Sequence, residues 1–369
     1  MIERSAEYVG VGHIDRVCDL IAQKILTEAL HKDKDSRVAV EVSCSKNILL
    51  IFGEITTKAN LDYEALAKQV LKDCGYDKKY YNPAIIIDLN TQSENISERV
   101  HQEELCWGDQ STTIGHYEVA HTHGLPEPYY IARNIVTGIE NLSAQDMVLW
   151  WNFTKDIKCL VEMDDVSVIK VTLSIQTHVK EKDYTKYYQL LKDKIVYMYE
   201  DEINFDKFEF NLDLYPRTSS LCDSGTTNRK IGVDMYGTSA LMDGGGYNGK
   251  DYTKGDMAGK ILAEEIAYKI AEEFNYRLYD IEDSERWYNY IETVDVIVNF
   301  NMGMTKPSSI IIKTDGELGC FSIEELEEIV GFEFTLQNVV DRYNLKERDY
   351  YNLAYNNLSY HTLSNVGNV

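Results

Sequence analysis

The apolar residues of this chain follow one order from end to end, in which strand-like runs alternate with long helix-like segments. Apolar residues that recur every three or four positions predict helices at 14–30, 61–75, 128–140, 183–200 and 256–274. Alternating or continuous apolar runs predict strands at 38–42, 48–56, 83–89, 157–163, 166–176, 230–236, 294–300 and 309–314. Because strands arrive in pairs between helices, the order favours layered α+β units with antiparallel pairs over a doubly wound parallel sheet. The segment after Lys346, rich in Tyr and Asn, has no assignable pattern.

The charge balance restricts the kinds of partner. With 37 Lys and Arg against 61 Asp and Glu, the formal net charge is −24. Such a surface repels phosphate backbones and anionic lipid headgroups, so we expect neither nucleic acid nor a membrane as partner. The first ten residues lack an apolar run of signal-peptide length, and the seven cysteines are scattered without a CxxC pair. We therefore expect a cytoplasmic protein with free thiols.

The strongest local motif is the glycine-rich stretch GGGYNGKDYTKGD at 244–256. Glycines let a backbone approach a ligand closely, and Lys250 and Lys254 stand where an anion would bind. The spacing Gly244-x4-Gly249-Lys250 imitates a phosphate loop, but Asp251 replaces the Ser or Thr that a P-loop needs for magnesium. A glycine-rich surface turn is the alternative interpretation.

A second motif, CDSGTTNRK at 222–230, places Asp223 before a turn that ends in Arg229 and Lys230. If these two basic residues enter a strand, their side chains face opposite ways, and one points toward a neighbouring subunit. A solvated basic pair at a strand edge explains the same letters.

A third motif, GHIDR at 12–16, gives His13, Asp15 and Arg16 at the start of a predicted helix. Helix N-termini favour anions, and an aspartate there is suited to hold a divalent ion over phosphate. An N-cap aspartate beside a surface arginine is the simpler alternative.

Isolated acids follow predicted strands or turns elsewhere in the chain. Glu54 follows a buried run, Asp109 follows a glycine, and Asp156 shares one face of a strand with Lys158. Each residue is also explained as a solvated carboxylate or a salt bridge. The histidines of HTH at 121–123 lack further ligands at metal-binding spacing, and GxSxG and HExxH are absent from the sequence.

Taken in order, these motifs resemble one family, the S-adenosylmethionine synthetases. GHIDR is similar to the family's GHPDK, and GGGYNGKDYTKGD to its HGGGAFSGKDxTKVDRS. Further similarities, in collinear order, lie in RVAVE (37–41), FGEITTKA (52–59), TQSENI (91–96), WGDQ (107–110), DIK (156–158), DSGTTNRKIGVDMYG (223–237) and MGMTKPSSI (302–310). The resemblance runs from about residue 5 to about residue 315.

The resemblance implies one compact α+β unit of three similar, interleaved subdomains with mixed or antiparallel sheets packed against helices. Approximate sequence blocks are 1–110, 111–225 and 226–369. It also implies a homodimer or homotetramer with active sites shared between subunits. The implied activity is that of a methionine adenosyltransferase, which makes S-adenosylmethionine from ATP and methionine. The triphosphate is then hydrolysed to pyrophosphate and phosphate, and the implied cofactors are Mg²⁺ and K⁺.

The resemblance also implies a role for each residue that matches a family motif. The implied catalytic residues are His13, Lys158, Arg229, Lys250 and Lys254. These five residues and Lys230 are the implied ligands of the triphosphate. Asp109 and Asp156 are the implied ligands of ATP near the adenosine. The implied methionine ligands are Glu54, Gln92 and Asp223. The implied metal ligands are Asp15 and Asp256 for magnesium and Glu41 for potassium, with Glu7 as an acid near the nucleotide.

The sequence also departs from the family pattern. Ile14 and Arg16 replace the proline and lysine of GHPDK, and Asn228 replaces the glycine before the Arg–Lys pair. CWGDQS at 106–111 and TSSLCD at 218–223 lack family glycines. Three alternatives therefore stay open: another thioether substrate, triphosphate hydrolysis alone, or a non-catalytic regulatory subunit. The retained cations argue against the last one, because the main barrier is the departure of a highly charged triphosphate, which fixed cations stabilise.

Overall fold

The computed structural model describes residues 2–76, 81–91, 104–119, 122–145, 153–164, 167–178, 180–199, 208–216, 223–238, 240–277, 291–315 and 320–356. Gln92, predicted to bind methionine, lies outside these residues. Within them, no helix is both long and apolar enough to cross a bilayer.

The described residues form eleven strands and nine α-helices. The strands are β1 (Arg4–Val9), β2 (Arg37–Cys44), β3 (Ile48–Thr56), β4 (Ala84–Asn90), β5 (Ser111–Glu118), β6 (Phe153–Met163), β7 (Val168–Thr177), β8 (Glu209–Pro216), β9 (Gly225–Thr226), β10 (Thr293–Phe300) and β11 (Ser309–Thr314). The helices are α1 (Ile14–Lys32), α2 (Tyr63–Asp73), α3 (Glu127–Gln145), α4 (Tyr184–Tyr199), α5 (Ile231–Asp234), α6 (Lys260–Arg277), α7 (Ile323–Val330), α8 (Leu336–Arg342) and α9 (Tyr350–Tyr355). A π-helical turn (Gly255–Gly259) leads into α6.

The strands make three sheets, in the orders β1-β6-β7-β8, β11-β10-β5 and β4-β3-β2-β9. Pairing is antiparallel except between β3 and β4 and between β7 and β8, which are parallel. Helix α3 packs on β1 and β6, α6 on β5 and β10, and α1 on β2. The predicted α+β class with mixed sheets is therefore confirmed. The division into three sequence blocks stays a prediction.

Side chains that alternate along each strand separate a core face from an open face. In β2, Val38, Val40 and Val42 are buried, whereas Glu41 between them is half-buried. The paired residues of β3 and β4 continue the open face, where Phe52 lies opposite Glu41 and Asp88 lies opposite Phe52. The period of two along a strand thus leaves polar side chains on the sheet face away from α1.

One predicted element is wrong. The alternating run at 230–236 is not a strand, because β9 ends at Thr226 and the chain then turns into the short helix α5. Asn228 adopts a left-handed conformation, with φ of 61°. Its backbone N–H donates to the buried carboxylate of Asp19, 209 residues away in sequence, at 2.8 Å. This long-range contact fixes the turn and overrides the local alternation of apolar residues.

Several elements have no counterpart in the sequence predictions. These are strands β1, β5 and β8 and the short helices α7, α8 and α9. Helix α9 falls in the Tyr- and Asn-rich segment and packs on α1. Tyr351 donates a hydrogen bond to Asp73 at 2.7 Å and Tyr355 donates to the Asp73 carbonyl at 2.9 Å. The tyrosines of this segment therefore attach α9 to the end of α2.

Candidate active site

The entry of the chain into α1 is fixed by close packing on β6. Val9 pairs with Lys158 in the β1–β6 ladder, and Gly12 N–H donates to the Lys155 carbonyl at 2.9 Å. A Cβ at Gly12 would lie 2.4 Å from the Lys155 carbonyl carbon, so only glycine fits there. This packing holds the next residue, His13, at the side of β6 that carries Lys158.

His13 is the N-cap of α1. Its Nδ1 accepts a hydrogen bond from the backbone N–H of Asp15 at 3.2 Å. Burial, together with the positive charges of Lys158, Lys230, Arg16 and Arg229, lowers the pKa of His13 from 6.5 to about 3. The imidazole is therefore neutral near pH 7. Because Nδ1 is an acceptor, the proton sits on Nε2, which is a hydrogen-bond donor.

Asp15 connects α1 to the segment around β9. Its Oδ1 accepts from the Thr226 N–H at 3.0 Å and lies 3.6 Å from Arg229 Nε. Burial raises the pKa of Asp15, and the charge of Asp223 raises it too, whereas the Thr226 hydrogen bond and Arg229 lower it. The structure thus brings the GHIDR and CDSGTTNRK motifs together.

Four predicted cations each lie beside a predicted carboxylate. Arg229 contacts Asp15, and Lys230 Nζ lies 3.4 Å from Glu7 Oε1. In the glycine-rich segment, Lys250 pairs with Asp256, and Lys254 Nζ lies 4.0 Å from Asp109 Oδ2. The four pairs, Arg229–Asp15, Lys230–Glu7, Lys250–Asp256 and Lys254–Asp109, match the residues predicted for the site.

The two cation-bearing segments lie along the same edge of β2. Thr226 pairs with Ser43, and Lys250 forms a β-bridge with Ala39. Four residues of strand separate these positions, so the backbones of the two segments are about 13 Å apart. Val38 N–H donates to the Asp251 carboxylate at 2.7 Å, so the residue that breaks the P-loop pattern attaches the glycine-rich segment to β2.

Arg16 of the GHIDR motif is not the surface arginine of the alternative interpretation, and its guanidinium is not available to a phosphate. It is buried and forms an ion pair with Asp234. Its Nη2 also donates to the Ala354 carbonyl at 3.1 Å, which links α9 to α1. Asn248 donates to the second oxygen of Asp234 at 2.9 Å. Asp234 therefore connects Arg16 of α1 to the glycine-rich segment, in which Asn248 lies.

Glu41 and Glu54 lie on the open face of the β2–β3 pair. The Glu41 carboxylate accepts from the hydroxyl of Thr227 and from the amide of Asn228. Glu54 is half-buried and lies opposite Ala39, so it is near the Lys250 end of β2. Glu54 does not line the cavity at His13.

A cavity of about 300 Å³ opens at the start of α1. The residues that line it are His13, Ile14, Asp156, Lys158, Ser174, Asp213, Tyr215 and Asp223. Four of them had been assigned from the sequence, namely His13, Asp156, Lys158 and Asp223. Ser174, Asp213 and Tyr215 had not, because β8 was not predicted and the sequence does not reveal which residues of β7 and β8 lie opposite Lys158.

Within the described ranges, no three His, Cys, Asp or Glu side chains are grouped closely enough to hold a metal ion by themselves. Four of the acids, Glu7, Asp15, Asp109 and Asp256, instead each lie beside a cation. An α+β fold whose cavity is lined by a neutral histidine donor and Lys158, with Arg229 and Lys230 close enough to act on that histidine, is typical of proteins that bind phosphate-rich ligands.

Comparison with known proteins identifies the family within this class. Residues 2–102 match the S-adenosylmethionine synthetase N-terminal domain and residues 218–280 match the C-terminal domain. S-adenosylmethionine synthase of Mycoplasmopsis synoviae (strain 53) is 31% identical over 362 residues, which cover 94% of this chain and 89% of that protein. The Mycoplasma genitalium S-adenosylmethionine synthase is 32% identical over 272 residues, 72% of this chain and 70% of that protein. The chain belongs to the S-adenosylmethionine synthetase family.

A solved structure has the same fold. It is that of an unusual S-adenosylmethionine synthetase from Campylobacter jejuni, which is 24% identical and superposes with a TM-score of 0.77. The match covers 96% of this chain and 94% of the other, so the two proteins share the α+β fold.

Proposed function

We propose that this chain is a methionine adenosyltransferase that makes S-adenosylmethionine from ATP and methionine in the cytoplasm. The observation that carries the proposal is the buried, neutral His13 at the N-terminus of α1, surrounded by Lys158, Arg229 and Lys230. This combination of fixed cations and an uncharged N–H donor suits a polyphosphate ligand. The family membership agrees with it.

The reaction needs charge stabilisation more than proton transfer. The methionine sulfur donates a lone pair to C5′ of ATP, so that an S–C5′ bond forms while the C5′–O5′ bond breaks. The triphosphate leaves with the bonding electron pair, and the sulfur becomes a sulfonium. A thioether carries no proton to remove, so no general base is required. His13 Nε2–H and Lys158 stabilise the charge that develops on the departing oxygen, each contact contributing about 2–4 kcal/mol.

The acids fit the proposed cofactors. Mg²⁺ is usually held by one or two carboxylates together with substrate phosphates, and Asp15 and Asp256 are single carboxylates beside phosphate-binding cations. When bound there, Mg²⁺ would neutralise phosphate charge and assist the hydrolysis of triphosphate to pyrophosphate and phosphate. Glu41 would hold K⁺ at the turn that carries Arg229. Asp109 and Asp156 stay assigned to the adenosine, and Glu54, Gln92 and Asp223 to methionine.

We also propose that the active site is completed by a second subunit, in a homodimer or homotetramer. Lys250, Lys254 and Glu54 do not line the cavity at His13, although the reaction uses all of them in this proposal. The open sheet faces carry exposed apolar residues, among them Ile86 and Ile311, which are 47% and 48% exposed. A partner that packs on these faces would cover them and bring its own glycine-rich segment to the cavity.

One assay separates this function from the alternatives. The purified protein is incubated with ATP, Mg²⁺ and K⁺, either alone, with methionine or with another thioether, and the sulfonium product and released phosphate are measured. Sulfonium formation that requires methionine supports the proposal. Phosphate release without methionine indicates a triphosphatase, sulfonium formed only from another thioether indicates a changed substrate, and no product indicates a regulatory subunit.

A further inference from the structure

Three neighbouring strands of one sheet contribute side chains to the cavity at His13. Lys158 on β6 lies opposite Ser174 on β7, and Ser174 lies opposite Asp213 on β8. The three residues therefore form a row across the sheet. Because neighbouring strands are about 4.8 Å apart, the row extends roughly 10 Å from Lys158 to Asp213. Lys158 and Asp156 line the cavity on β6, and Asp213 lines it on β8.

Tyr215 of β8 also lines the cavity, and its hydroxyl donates to the Asp156 carbonyl on β6 at 3.5 Å. Tyr215 and Asp213 are separated by one position on β8, so their side chains lie on the same face of the sheet. A tyrosine ring offers a flat apolar surface on which a nucleobase stacks. With phosphates held at Lys158 and His13, the β8 end of the cavity is left for the base.

We infer that Asp213 selects the base of the nucleotide substrate by accepting a hydrogen bond from the exocyclic amine of adenine. This inference rests on the proposed function and assigns a specificity role to a residue that has none so far. An ionised carboxylate only accepts hydrogen bonds. Adenine presents an amine donor at C6, whereas hypoxanthine and guanine present a carbonyl oxygen there, which would face the carboxylate acceptor to acceptor.

The other acids of the cavity are placed differently. Asp156 lies on β6, the strand of Lys158, and is buried. The charge of Asp223 acts on Asp15 at the start of α1. Asp213 is exposed in the single chain and lies on the strand farthest from β6 in this row. A substitution at Asp213 is therefore expected to leave the fold intact.

The test compares ATP with ITP, which differs by replacement of the C6 amine with an oxygen. Sulfonium formation is measured with each nucleotide for the unsubstituted protein and for Asp213→Ala and Asp213→Asn. We expect the unsubstituted protein to prefer ATP in kcat/KM. The preference for ATP over ITP should fall by about tenfold or more in both variants, because each variant loses the hydrogen bond from the adenine amine to a charged acceptor. The KM for methionine should not change.

Glu209→Gln is the matched control. Glu209 is an exposed acid on β8, on the same face as Asp213, but it does not line the cavity. This variant removes one negative charge from the strand and should keep the ATP preference. Equal loss in Glu209→Gln would show a general effect of charge and overturn the inference. An unchanged ratio of kcat/KM for ATP to kcat/KM for ITP in the Asp213 variants would also overturn it. An effect confined to the KM for methionine would overturn it as well.

A binding measurement distinguishes failure of the inference from failure of the proposed function. The β,γ-imido analogues of ATP and ITP are titrated calorimetrically into the same proteins, so that no turnover is needed. If the protein forms no sulfonium but binds the ATP analogue more tightly in an Asp213-dependent way, the inference stands and the proposed activity does not. Equal affinity of the unsubstituted protein for both analogues contradicts the inference, whatever the activity.

Discussion

The neutral state of His13 leads to a quantitative prediction about stability and pH. The pKa of His13 is lowered from 6.5 to about 3 in the folded protein. Between these values the unfolded chain binds a proton at this residue and the folded protein does not. Stability therefore falls as pH falls below 6.5. For one such group, the free energy of unfolding should decrease by about 2 kcal/mol between pH 7 and pH 5.

The perturbation that isolates this effect is His13→Asn. Asparagine also caps a helix N-terminus by accepting from the backbone, but it does not titrate. Urea unfolding is followed at pH 7, 6 and 5 and at one fixed protein concentration, since association also affects stability. We expect the unsubstituted protein to lose about 2 kcal/mol relative to His13→Asn between pH 7 and pH 5.

A matched variant controls for the loss of any histidine from this helix. His31 lies in the last turn of α1 and is exposed, so His31→Asn should follow the unsubstituted protein at every pH. Parallel stability profiles for the unsubstituted protein and His13→Asn would refute the argument. A relative gain at low pH would refute it more strongly, because it would mean that His13 is protonated and paired with Asp15, 3.9 Å away.

Three further predictions follow from particular contacts. Lys250→Ala should lower kcat by about 10²–10³-fold, as for loss of one charge-stabilising donor, with an unchanged circular dichroism spectrum; turnover equal to the unsubstituted protein would remove Lys250 from the mechanism. Asp234→Ala leaves Arg16 buried without its ion-pair partner, so urea unfolding should show a loss of about 3–5 kcal/mol; a loss below 1 kcal/mol would contradict it. Gly12→Ala places a Cβ 2.4 Å from the Lys155 carbonyl carbon, so the thermal unfolding temperature should fall and ATP binding should weaken. An unchanged unfolding temperature and an unchanged affinity for ATP would show that the backbones at Gly12 and Lys155 can move apart.

The long elements of the fold were predictable from the sequence because their local patterns agree with their tertiary surroundings. Strand β3 has the predicted bounds, and α1 extends the predicted helix by two residues at its C-terminal end. The alternation of Val38, Val40 and Val42 matches a strand with one face packed on α1. The run at 230–236 shows the limit of such reasoning. Its alternation is as regular as that of β2, but the turn at Asn228 depends on Asp19, a residue that no local pattern connects to it.

The candidate site was predictable only in part, for the same reason. Motifs such as GHIDR carry their functional residues next to one another, so they can be recognised from the letters. Asp213 and Tyr215 gain a position at the cavity only through the parallel pairing of β7 and β8, which brings Asp213 opposite Ser174. Arg16 shows the opposite error, because a basic residue in a recognised motif is in fact buried against Asp234.

The pairing of cations with acids in the single chain bears on how an acidic protein binds a polyphosphate. Lysines and arginines gathered for such a ligand repel one another when it is absent, and an adjacent carboxylate lowers that repulsion. Arg229 beside Asp15 and Lys250 beside Asp256 are held in this way. A triphosphate that takes over both cations leaves both carboxylates without a partner, which is unfavourable unless another positive charge reaches them. In the proposed mechanism, a divalent cation that arrives with the nucleotide would supply that charge. Asp15 and Asp256 would then become partners for the metal when Arg229 and Lys250 bind the phosphate, which makes a net charge of −24 compatible with the proposed polyphosphate substrate.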